Sequence, residues 1–475
     1  MKKILICKMF LSVLLLVISG CAVGPDYKRP DAPVPSSFKE LKGWREALPR
    51  DQEIRTKWWE AFGDSILNTL AEQVNDVSNQ SIALAESQYR QAQALVQLAR
   101  ANYFPTVAAG ASYTRSGGPA DAGYSTVDQH QVSLNAAWEV DLWGKVRRQV
   151  ESSTATAEAS FADLQAMRLS MQAELALNYF QLRTLDAQKQ NLEEAVGAYG
   201  KALDLTQNRY TAGVAAKADV AAAQTQLKST QAQAIDVGVQ RAQLEHAIAI
   251  LTGKPPADFS LAPVTFAPPQ IKIPVGIPSD LLERRPDIAS AERKMAAANA
   301  QIGVAKAAYY PSLSLSGSLG YASADLASLF TSPSFFWALG PMTLAATLFD
   351  AGARKAQTEQ AMAAYDGTVA FYRQTVLTGF QDVEDNLAAL RILDEEAQMQ
   401  EQAVNSAHES VTLTTNQYRA GFVSYLNVVT AQTIALTNER AAITIGGQRL
   451  TAAVLLVKAL GGGWSVPETP GGNQK

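Results

Sequence analysis

Two long stretches without proline constrain the fold of this chain more than any other feature of its sequence. Residues 120–254 and 342–466 contain no proline, whereas prolines cluster at 25–49 and 255–286. Because proline interrupts the hydrogen bonding of helices and sheets, each proline-free stretch can hold very long helices. The second proline cluster indicates a linker that divides the chain into two halves.

Inside these stretches, apolar residues recur in alternating steps of four and three residues. In the first stretch this seam covers residues 171–210, where nine of twelve positions are apolar or aromatic, and it resumes at 220–251. The same seam recurs 208 residues later. A sustained period of about 3.5 residues is typical of coiled-coil packing. Gly213 and Gly421 lie between the paired seams, so we predict that each half contains two antiparallel helices joined by a tight turn.

The two halves are copies of one unit. The sequence from Asn208 to Gly213 matches that from Asn416 to Gly421, and residues 101–105 match 307–311. Each half is too long for a solenoid repeat, so duplication of a whole domain-sized unit explains the pattern better.

Period-two segments indicate strands between the helices. Residues 132–141 and 312–321 alternate apolar and polar residues, with weaker partners at 106–114 and 337–349. About ten residues is the length of a tilted strand that spans a membrane, although a half-buried soluble hairpin is the alternative. Four such strands cannot close a barrel, so spanning strands would require several chains.

Each half is therefore predicted to contain a helix, two strands, a very long helix, a tight turn and a returning helix. In the first repeat, residues 64–253, these elements are predicted at 64–101, 106–115, 127–141, 145–210, 211–215 and 217–252. In the second repeat, residues 286–460, they are predicted at 286–307, 312–321, 337–349, 353–418, 419–423 and 424–460. The remaining predicted segments are a signal peptide, an N-terminal segment, a linker and a tail, at 1–20, 21–63, 254–285 and 461–475.

The N-terminus resembles a bacterial lipoprotein signal. Three lysines precede the apolar run 9–18, which leads into Ile18-Ser19-Gly20-Cys21. This lipobox predicts that Cys21 becomes the acylated first residue of the mature chain, while the alternative is an ordinary signal peptide with an incidental cysteine. Ala22, which is not acidic, favours sorting to the outer membrane. No apolar run reaches 18 residues, so no transmembrane helix is predicted.

Composition argues against most chemistry. The only cysteines are Cys7 and Cys21, and the three histidines are far apart, so no disulfide framework, metal site or cofactor site is predicted. A net charge of −4 without basic blocks argues against nucleic-acid binding. No GxSxG motif or convergent polar cluster supports the alternative of a periplasmic hydrolase, so an enzyme is not expected.

Several motifs together resemble the TolC-type outer-membrane efflux proteins, and most closely the NodT/OprM-like lipoproteins of resistance-nodulation-division pumps. They are the lipobox, the duplicated Y-x-A-G-x turns, the segment 138–144 and the segment 459–464. The resemblance implies a mainly α fold with a transmembrane β-barrel. A homotrimer would form a twelve-stranded barrel, four strands per chain, continued by a long periplasmic α-helical coiled-coil barrel. The N-terminal segment, linker and tail would form an equatorial region.

The resemblance also implies a function. The trimer would be a passive exit duct for small molecules, as in multidrug resistance, anchored in the outer membrane by a palmitate-bearing Cys21 and outer-membrane lipid. Its partners would be a periplasmic adaptor protein and an inner-membrane resistance-nodulation-division transporter. An outer-membrane-anchored coiled-coil structural or adaptor lipoprotein is the alternative function.

The matching positions predict two sets of site residues. The adaptor-contacting tips are predicted at Ala212, Gly213, Val214, Ala420, Gly421 and Phe422. The periplasmic aperture is predicted at Asp219, Tyr418, Tyr425, Leu426, Asn427 and Thr430. Asp219 and Tyr418 match positions at which the residues of family members help to hold the two hairpins together.

The aperture departs from the family pattern in its charge. Asn427 and Thr430 stand where the family often carries aspartates, and Val423 stands where some members carry arginine. We therefore predict an aperture closed by hydrogen bonds and by packing of Tyr418, Tyr425 and Leu426, and less cation-selective than usual. The alternative is that Asn427 and Thr430 are ordinary helix-surface residues.

Overall fold

The computed structural model describes residues 22–40, 57–75, 79–120, 123–264 and 284–462. The predicted signal peptide with Cys21, most of the linker and nearly all of the tail lie outside the described residues. The chain divides into two compact units: one combines 1–31, 88–161 and 290–373, and the other combines 32–87, 162–289 and 374–475.

The order helix, strand, strand, long helix and shorter helix occurs twice, and the first repeat has one additional helix before it. The first repeat contains α1 (Ser65–Asn75), α2 (Gln80–Ala101), β1 (Thr106–Ala120), β2 (Gly123–Val140), α3 (Lys145–Thr211) and α4 (Lys217–Leu251). The second contains α5 (Pro286–Ala307), β3 (Ser312–Ser323), β4 (Phe335–Ala345), α6 (Ala353–Arg419) and α7 (Tyr425–Ala459). Helices α3 and α6 have 67 residues each, and α4 and α7 have 35 each. At 1.5 Å per residue, the longer pair measure about 100 Å.

One predicted helix is divided in two. We expected a single helix over 64–101, but α1 ends at Asn75 and α2 begins at Gln80. The Asn79 side-chain oxygen accepts the backbone N–H groups of Ser81 and Ile82 at 3.0 and 3.1 Å, which caps a new helix. The Asn79 amide donates to the Leu251 carbonyl at 2.9 Å. A contact with a distant helix therefore selects the break.

The strands differ from their predicted limits because backbone pairing determines where they end. The β1–β2 hairpin continues outward to Ala120 and Gly123, beyond the predicted 106–115 and 127–141. Strand β4 is Phe335–Ala345, not 337–349. Its last residue, Ala345, pairs with Ser312, the first residue of β3, so later residues have no partner in that strand.

The four strands form one antiparallel sheet in the order β1-β2-β3-β4, and its two faces differ in polarity. One face carries exposed apolar side chains, namely Val107, Tyr113, Leu134, Leu319, Phe335, Trp337, Leu339, Met342 and Leu344. The opposite face carries polar side chains such as Thr106, Ser112, Gln131, Asn135, Ser314, Ser316 and Ser318. Among the described residues, no other element covers the exposed side chains of this apolar face.

The two helical hairpins, α3–α4 and α6–α7, share a core in their own unit. A buried cluster joins Leu192 and Tyr199 of α3, Ala234 and Val237 of α4, and Leu436 of α7. The Tyr199 hydroxyl donates to the Gln432 carbonyl at 3.2 Å. Helix α7 therefore packs against both helices of the first hairpin.

Helix α7 differs from the prediction that no segment is long and apolar enough to cross a membrane. By length and composition alone it could cross a membrane, and it is the one such helix in the described part of the chain. Its apolar residues are explained by the coiled-coil seam, since Leu436 is buried in the shared core and Arg440 donates to Gln233 of α4 at 2.9 Å. We therefore interpret α7 as a packed helix.

Candidate functional site

The tip of the first hairpin is a glycine-terminated helix end. The Gly213 N–H bonds to the Tyr210 carbonyl at 2.9 Å, and the Val214 N–H bonds to the Arg209 carbonyl at 2.9 Å. This pair of bonds is a Schellman motif, which requires a left-handed residue. Gly213 has φ = 73°, a conformation that an L side chain rarely adopts.

The second tip repeats this geometry. The Gly421 and Phe422 N–H groups bond to the Tyr418 and Gln417 carbonyls, each at 3.0 Å, and Gly421 has φ = 84°. Ala212 and Ala420 are exposed in the two turns. Val214 is 64% exposed and Phe422 is 83% exposed. Each tip thus presents an apolar side chain to solvent, which suits contact with a partner.

Tyr418 and Tyr425 hold the second turn closed. Their rings meet edge to face with centroids 5.2 Å apart, and both side chains are buried. They form a core cluster with Ala223 of α4 and Val428 of α7, flanked by Leu203 of α3 and others. Burial, followed by the electrostatic effect of Tyr418, raises the pKa of the Tyr425 hydroxyl to about 12. The cluster therefore joins both hairpins close to their tips.

The remaining predicted aperture residues lie outside this cluster. Leu426 is 64% exposed, so within one chain it does not pack with the two tyrosines. Asn427 and Thr430 are also exposed, and the Thr430 hydroxyl donates to the Leu426 carbonyl of its own helix at 2.9 Å. The lining of an aperture by these three residues stays a prediction.

Tyr418 contributes to the cluster that joins the hairpins, while the described residues show no hydrogen bond between Asp219 and Tyr418, so a tie made by this pair stays a prediction. The Asp219 carboxylate accepts the Ala216 N–H at 3.2 Å and so caps the start of α4. The Tyr418 hydroxyl is buried, and it has no hydrogen-bond partner among the described residues.

Sequence reasoning missed Arg209, which does connect the hairpins. Its guanidinium carbon lies 4.8 Å from the centre of the Tyr418 ring. Its Nη1 donates to the Arg419 carbonyl at 3.0 Å. The signal was present in the repeat, since Gln417 occupies the equivalent position in the second hairpin. Arg209 is thus one of the positions at which the two turns differ, together with Thr211 and Val214, which correspond to Arg419 and Phe422.

The sheet carries aromatic side chains at both ends. At one end, Tyr321 meets Phe330 and Phe335 with ring centroids 5.6 and 5.5 Å apart. At the other end, Trp143 stacks on Tyr310 at 4.9 Å and donates to the Pro311 carbonyl at 2.7 Å. Aromatic residues bracketing an apolar band are typical of strands that span a membrane.

The segment that follows Cys21 is seated beside this second aromatic pair. The Val23 N–H bonds to the Trp143 carbonyl at 3.0 Å. The buried Arg148 donates to the Val23 carbonyl at 3.3 Å and to the Asp26 carboxylate at 2.7 Å. Gly303 permits this approach, because an added Cβ would lie 2.9 Å from the Val23 oxygen. We call residues 22–29 and their contacts the N-terminal seat.

Two tyrosines extend the seat along the helices. The Tyr27 hydroxyl donates to Glu292 at 2.6 Å, and burial together with this bond raises its pKa. Arg29 donates to the Tyr372 hydroxyl at 3.0 Å. Ala22 itself lies against Gly144, just after the end of β2, since a Cβ added at Gly144 would lie 2.7 Å from the Ala22 Cβ.

Within the described residues, no cluster of three or more histidine, cysteine or acidic side chains could hold a metal ion. The sites described above therefore consist of exposed surfaces and packing contacts, and none of them contains a set of metal ligands.

Comparison with known proteins extends over nearly the whole chain. Residues 76–254 and 277–462 match the family described as outer membrane efflux protein. The solvent efflux pump outer membrane protein SrpC of Pseudomonas putida is 32% identical over 472 residues, covering 96% of this chain and 98% of the relative.

Solved structures agree with this match. The outer-membrane channel OprN superposes with a TM-score of 0.87 at 30% identity, covering 94% of this chain and 100% of that chain. The CmeC outer membrane channel of Campylobacter jejuni gives a TM-score of 0.86 at 26% identity, covering 94% and 96% of the two chains.

Proposed function

The chain belongs to the outer membrane efflux protein family, and we propose that its two-faced sheet forms the membrane-spanning part of an exit duct and that its hairpin tips contact the partner proteins of that duct. Membership confirms the family predicted from the lipobox and the duplicated turns. The protein is an outer-membrane efflux channel of a tripartite system, and not an enzyme.

The two-faced sheet is the observation that carries this function. Its exposed apolar face suits lipid, and its serine-rich face suits an aqueous lumen. In lipid, an open sheet edge would leave backbone groups without partners, so the sheet must close with copies from other chains. Three copies provide twelve strands, above the eight of the smallest bacterial barrels. Two copies would already reach eight strands, so the choice of three comes from the family resemblance, which implies twelve strands, and we propose the homotrimer on that ground.

The helical tips provide the second half of the function. A duct without catalytic residues depends on an inner-membrane pump for energy and on a periplasmic adaptor to reach it. Val214 and Phe422, exposed on rigid glycine turns, suit apolar contact with such an adaptor. We propose a pump of the resistance-nodulation-division class, because the motifs resemble the lipoprotein branch that serves those pumps.

Conductance measurements test the duct. We expect the purified trimer to produce discrete current steps in planar lipid bilayers, with heat-denatured protein as the control. Aggregation-free trimer that never conducts would overturn the proposed duct. The adaptor contact has its own test, in which Phe422→Asp should abolish cross-linking to the adaptor while Thr430→Asp, on a nearby exposed surface, should not.

We further propose that Cys21 carries the lipid anchor. Support comes from the N-terminal seat, which holds Ala22 near the rim of the sheet, where an acyl chain on the preceding residue would enter the membrane directly. Palmitate labelling in cells should be abolished by Cys21→Ser and unaffected by Cys7→Ser, the only other cysteine. Labelling that persists in Cys21→Ser would contradict this assignment.

The same cysteine separates the duct from the alternative of a coiled-coil structural or adaptor lipoprotein. A channel held by its own strands should remain in the outer membrane after Cys21→Ala. A lipoprotein anchored only by its acyl chain should be released to the soluble periplasmic fraction.

A further inference from the structure

We propose that β4 continues along β1 of the partner subunit, in a register that the internal repeat sets, and that Phe349 enters a cavity beside that strand. We call this contact between two copies of the chain the subunit joint. The inference rests on the proposed homotrimer and adds the residues that join one copy to the next. Its carrying observation is that the two hairpins of the sheet pair in equivalent registers.

The equivalence of the two hairpins follows from the offsets of the repeat. Strands β1 and β3 begin at Thr106 and Ser312, 206 residues apart, and helices α3 and α6, which follow β2 and β4, begin 208 residues apart. Thr106 pairs with Ala137 in the first hairpin. The two offsets convert this pair into Ser312 and Ala345, which is the pair observed in the second hairpin. The two copies of the unit therefore share their strand register.

The pairing of β2 with β3 inside the chain predicts the pairing of β4 with β1 in the subunit joint. In both cases the second strand of one unit meets the first strand of the next unit, and both pairings are antiparallel because β1 and β4 run in opposite directions. Val140 pairs with Leu313 inside the chain. The same two offsets convert this pair into Leu348 and Val107 of the partner subunit.

The two faces of the sheet agree with this register. It places Met342 opposite Tyr113 of the partner subunit, and both residues belong to the exposed apolar face. It places Thr343 opposite Ser112 of the partner subunit, and both belong to the polar face. A shift by one residue would bring the apolar face of one copy beside the polar face of the next.

The register assigns a contact to the segment between β4 and α6. This segment, residues 346–349, includes Leu348 and Phe349, which are 94% and 86% exposed in the single chain. In the subunit joint it lies beside residues 106–109 of the partner subunit. Leu348 then continues the apolar face, while Phe349 lies opposite Thr106 of the partner subunit on the polar face. Strand β4 would extend to residue 349, the limit that the alternating sequence predicts.

A cavity beside Thr106 receives the Phe349 ring. Its volume is about 510 Å³, and Thr106, Phe104, Trp138 and Leu315 are among the residues that line it. Phe104 is 69% exposed in the single chain, so its ring is open to contact from another copy. Aromatic rings gain from contact with one another beyond the area that they bury. The partner copy thus contributes a side chain that this cavity lacks.

Paired cysteines in the full-length protein test the register under mild oxidation. Leu348→Cys with Val107→Cys should give disulfide-linked dimers and trimers on non-reducing gels, because opposite residues have Cβ atoms about 4.5–5.5 Å apart. Leu348→Cys with Ala109→Cys should give none, because this diagonal pair is about 7–8 Å apart and a disulfide needs about 4 Å. Each single-cysteine variant controls for Cys7 and Cys21.

The outcomes separate the register from the assembly. Linkage of the shifted pair alone, or equal linkage of both pairs, would overturn the register and leave the homotrimer standing. Absence of linkage in protein that is trimeric by light scattering would overturn the subunit joint. Protein that never forms trimers would overturn the proposed assembly itself.

A double-mutant cycle tests the cavity contact. Phe349→Ala and Phe104→Ala should each lower the temperature at which the trimer dissociates in detergent. The double variant should lower it by less than the sum, because both changes remove the same contact. Phe422→Ala, which removes an exposed ring at the hairpin tip, is the control and should leave this temperature unchanged. Additive effects of the two cavity variants would overturn the contact of Phe349 with the cavity.

Discussion

Arg241 donates from Nε to the Asp186 carboxylate at 2.7 Å, across the two helices of the first hairpin. Asp186 is almost fully buried and also accepts from Arg183 at 2.9 Å. The two arginines donate to the carbonyls of Leu261 and Ala262, so the same carboxylate tethers the chain segment that follows α4.

Removal of Asp186 should be strongly destabilising. Asp186→Ala leaves the buried Arg183 guanidinium without a carboxylate, and it leaves Arg241 with Glu245 as its remaining carboxylate partner. Loss of one partner of a buried ion pair costs about 3–5 kcal/mol. Thermal unfolding of the trimer, followed by circular dichroism, measures the loss. Glu193→Ala, which removes an exposed partner of Lys189, is the control and should change stability by less than about 1 kcal/mol. Similar effects of both variants would contradict the assigned role of the buried network.

Gly303→Ala should displace the N-terminal seat. The added Cβ would lie 2.8 Å from Arg148 Cγ and 2.9 Å from the Val23 oxygen, and such overpacking costs about 1–3 kcal/mol. Hydrogen exchange of residues 22–29 should accelerate. Gly367→Ala is the matched control, because its Cβ meets nothing within 4 Å. Unchanged exchange in Gly303→Ala would show that the segment is held by other contacts.

Tyr425 should make stability depend on alkaline pH. Burial raises its pKa from 10.0 to about 12, so the folded chain holds this proton more tightly than the unfolded chain. The resulting stabilisation is present below pH 10 and is lost as pH rises toward 12. Denaturant unfolding of wild type and Tyr425→Phe across this range isolates the effect, and parallel pH profiles would exclude it.

Neighbouring residues of β4 should respond oppositely to a charge. Leu339 is 89% exposed on the apolar face, and Ala338 lies on the polar face. An arginine that faces lipid near the middle of the membrane costs about 2–4 kcal/mol. Leu339→Arg should therefore reduce the amount of trimer in outer-membrane fractions, while Ala338→Arg should assemble. Equal assembly of both variants would contradict the proposed lipid face.

Some residues of the site were predictable because their role is local. Gly213 and Gly421 indicate helix ends in the sequence, because the left-handed residue that ends a helix is usually glycine. Tyr418 lies on the predicted coiled-coil seam and is buried, whereas Tyr210, at the equivalent seam position of the first hairpin, is 44% exposed. Arg209 was not predictable in this way, because its partners Tyr418 and Arg419 lie about two hundred residues away in sequence and meet it only when the hairpins pack.

The sequence by itself determined the duplication, the four long helices, the turns and the alternating strands, because periodicity and glycine placement act within a few residues. Only the tertiary structure decided the break at Asn79, the register that ends β4 at Ala345, the exclusion of Leu426 from the tyrosine cluster and the assignment of Arg209 to the second hairpin. Each of these features depends on a hydrogen bond, a strand pairing or a packing contact between residues that are far apart in sequence. Such contacts form only when helices and strands pack together, so local periodicity does not predict them.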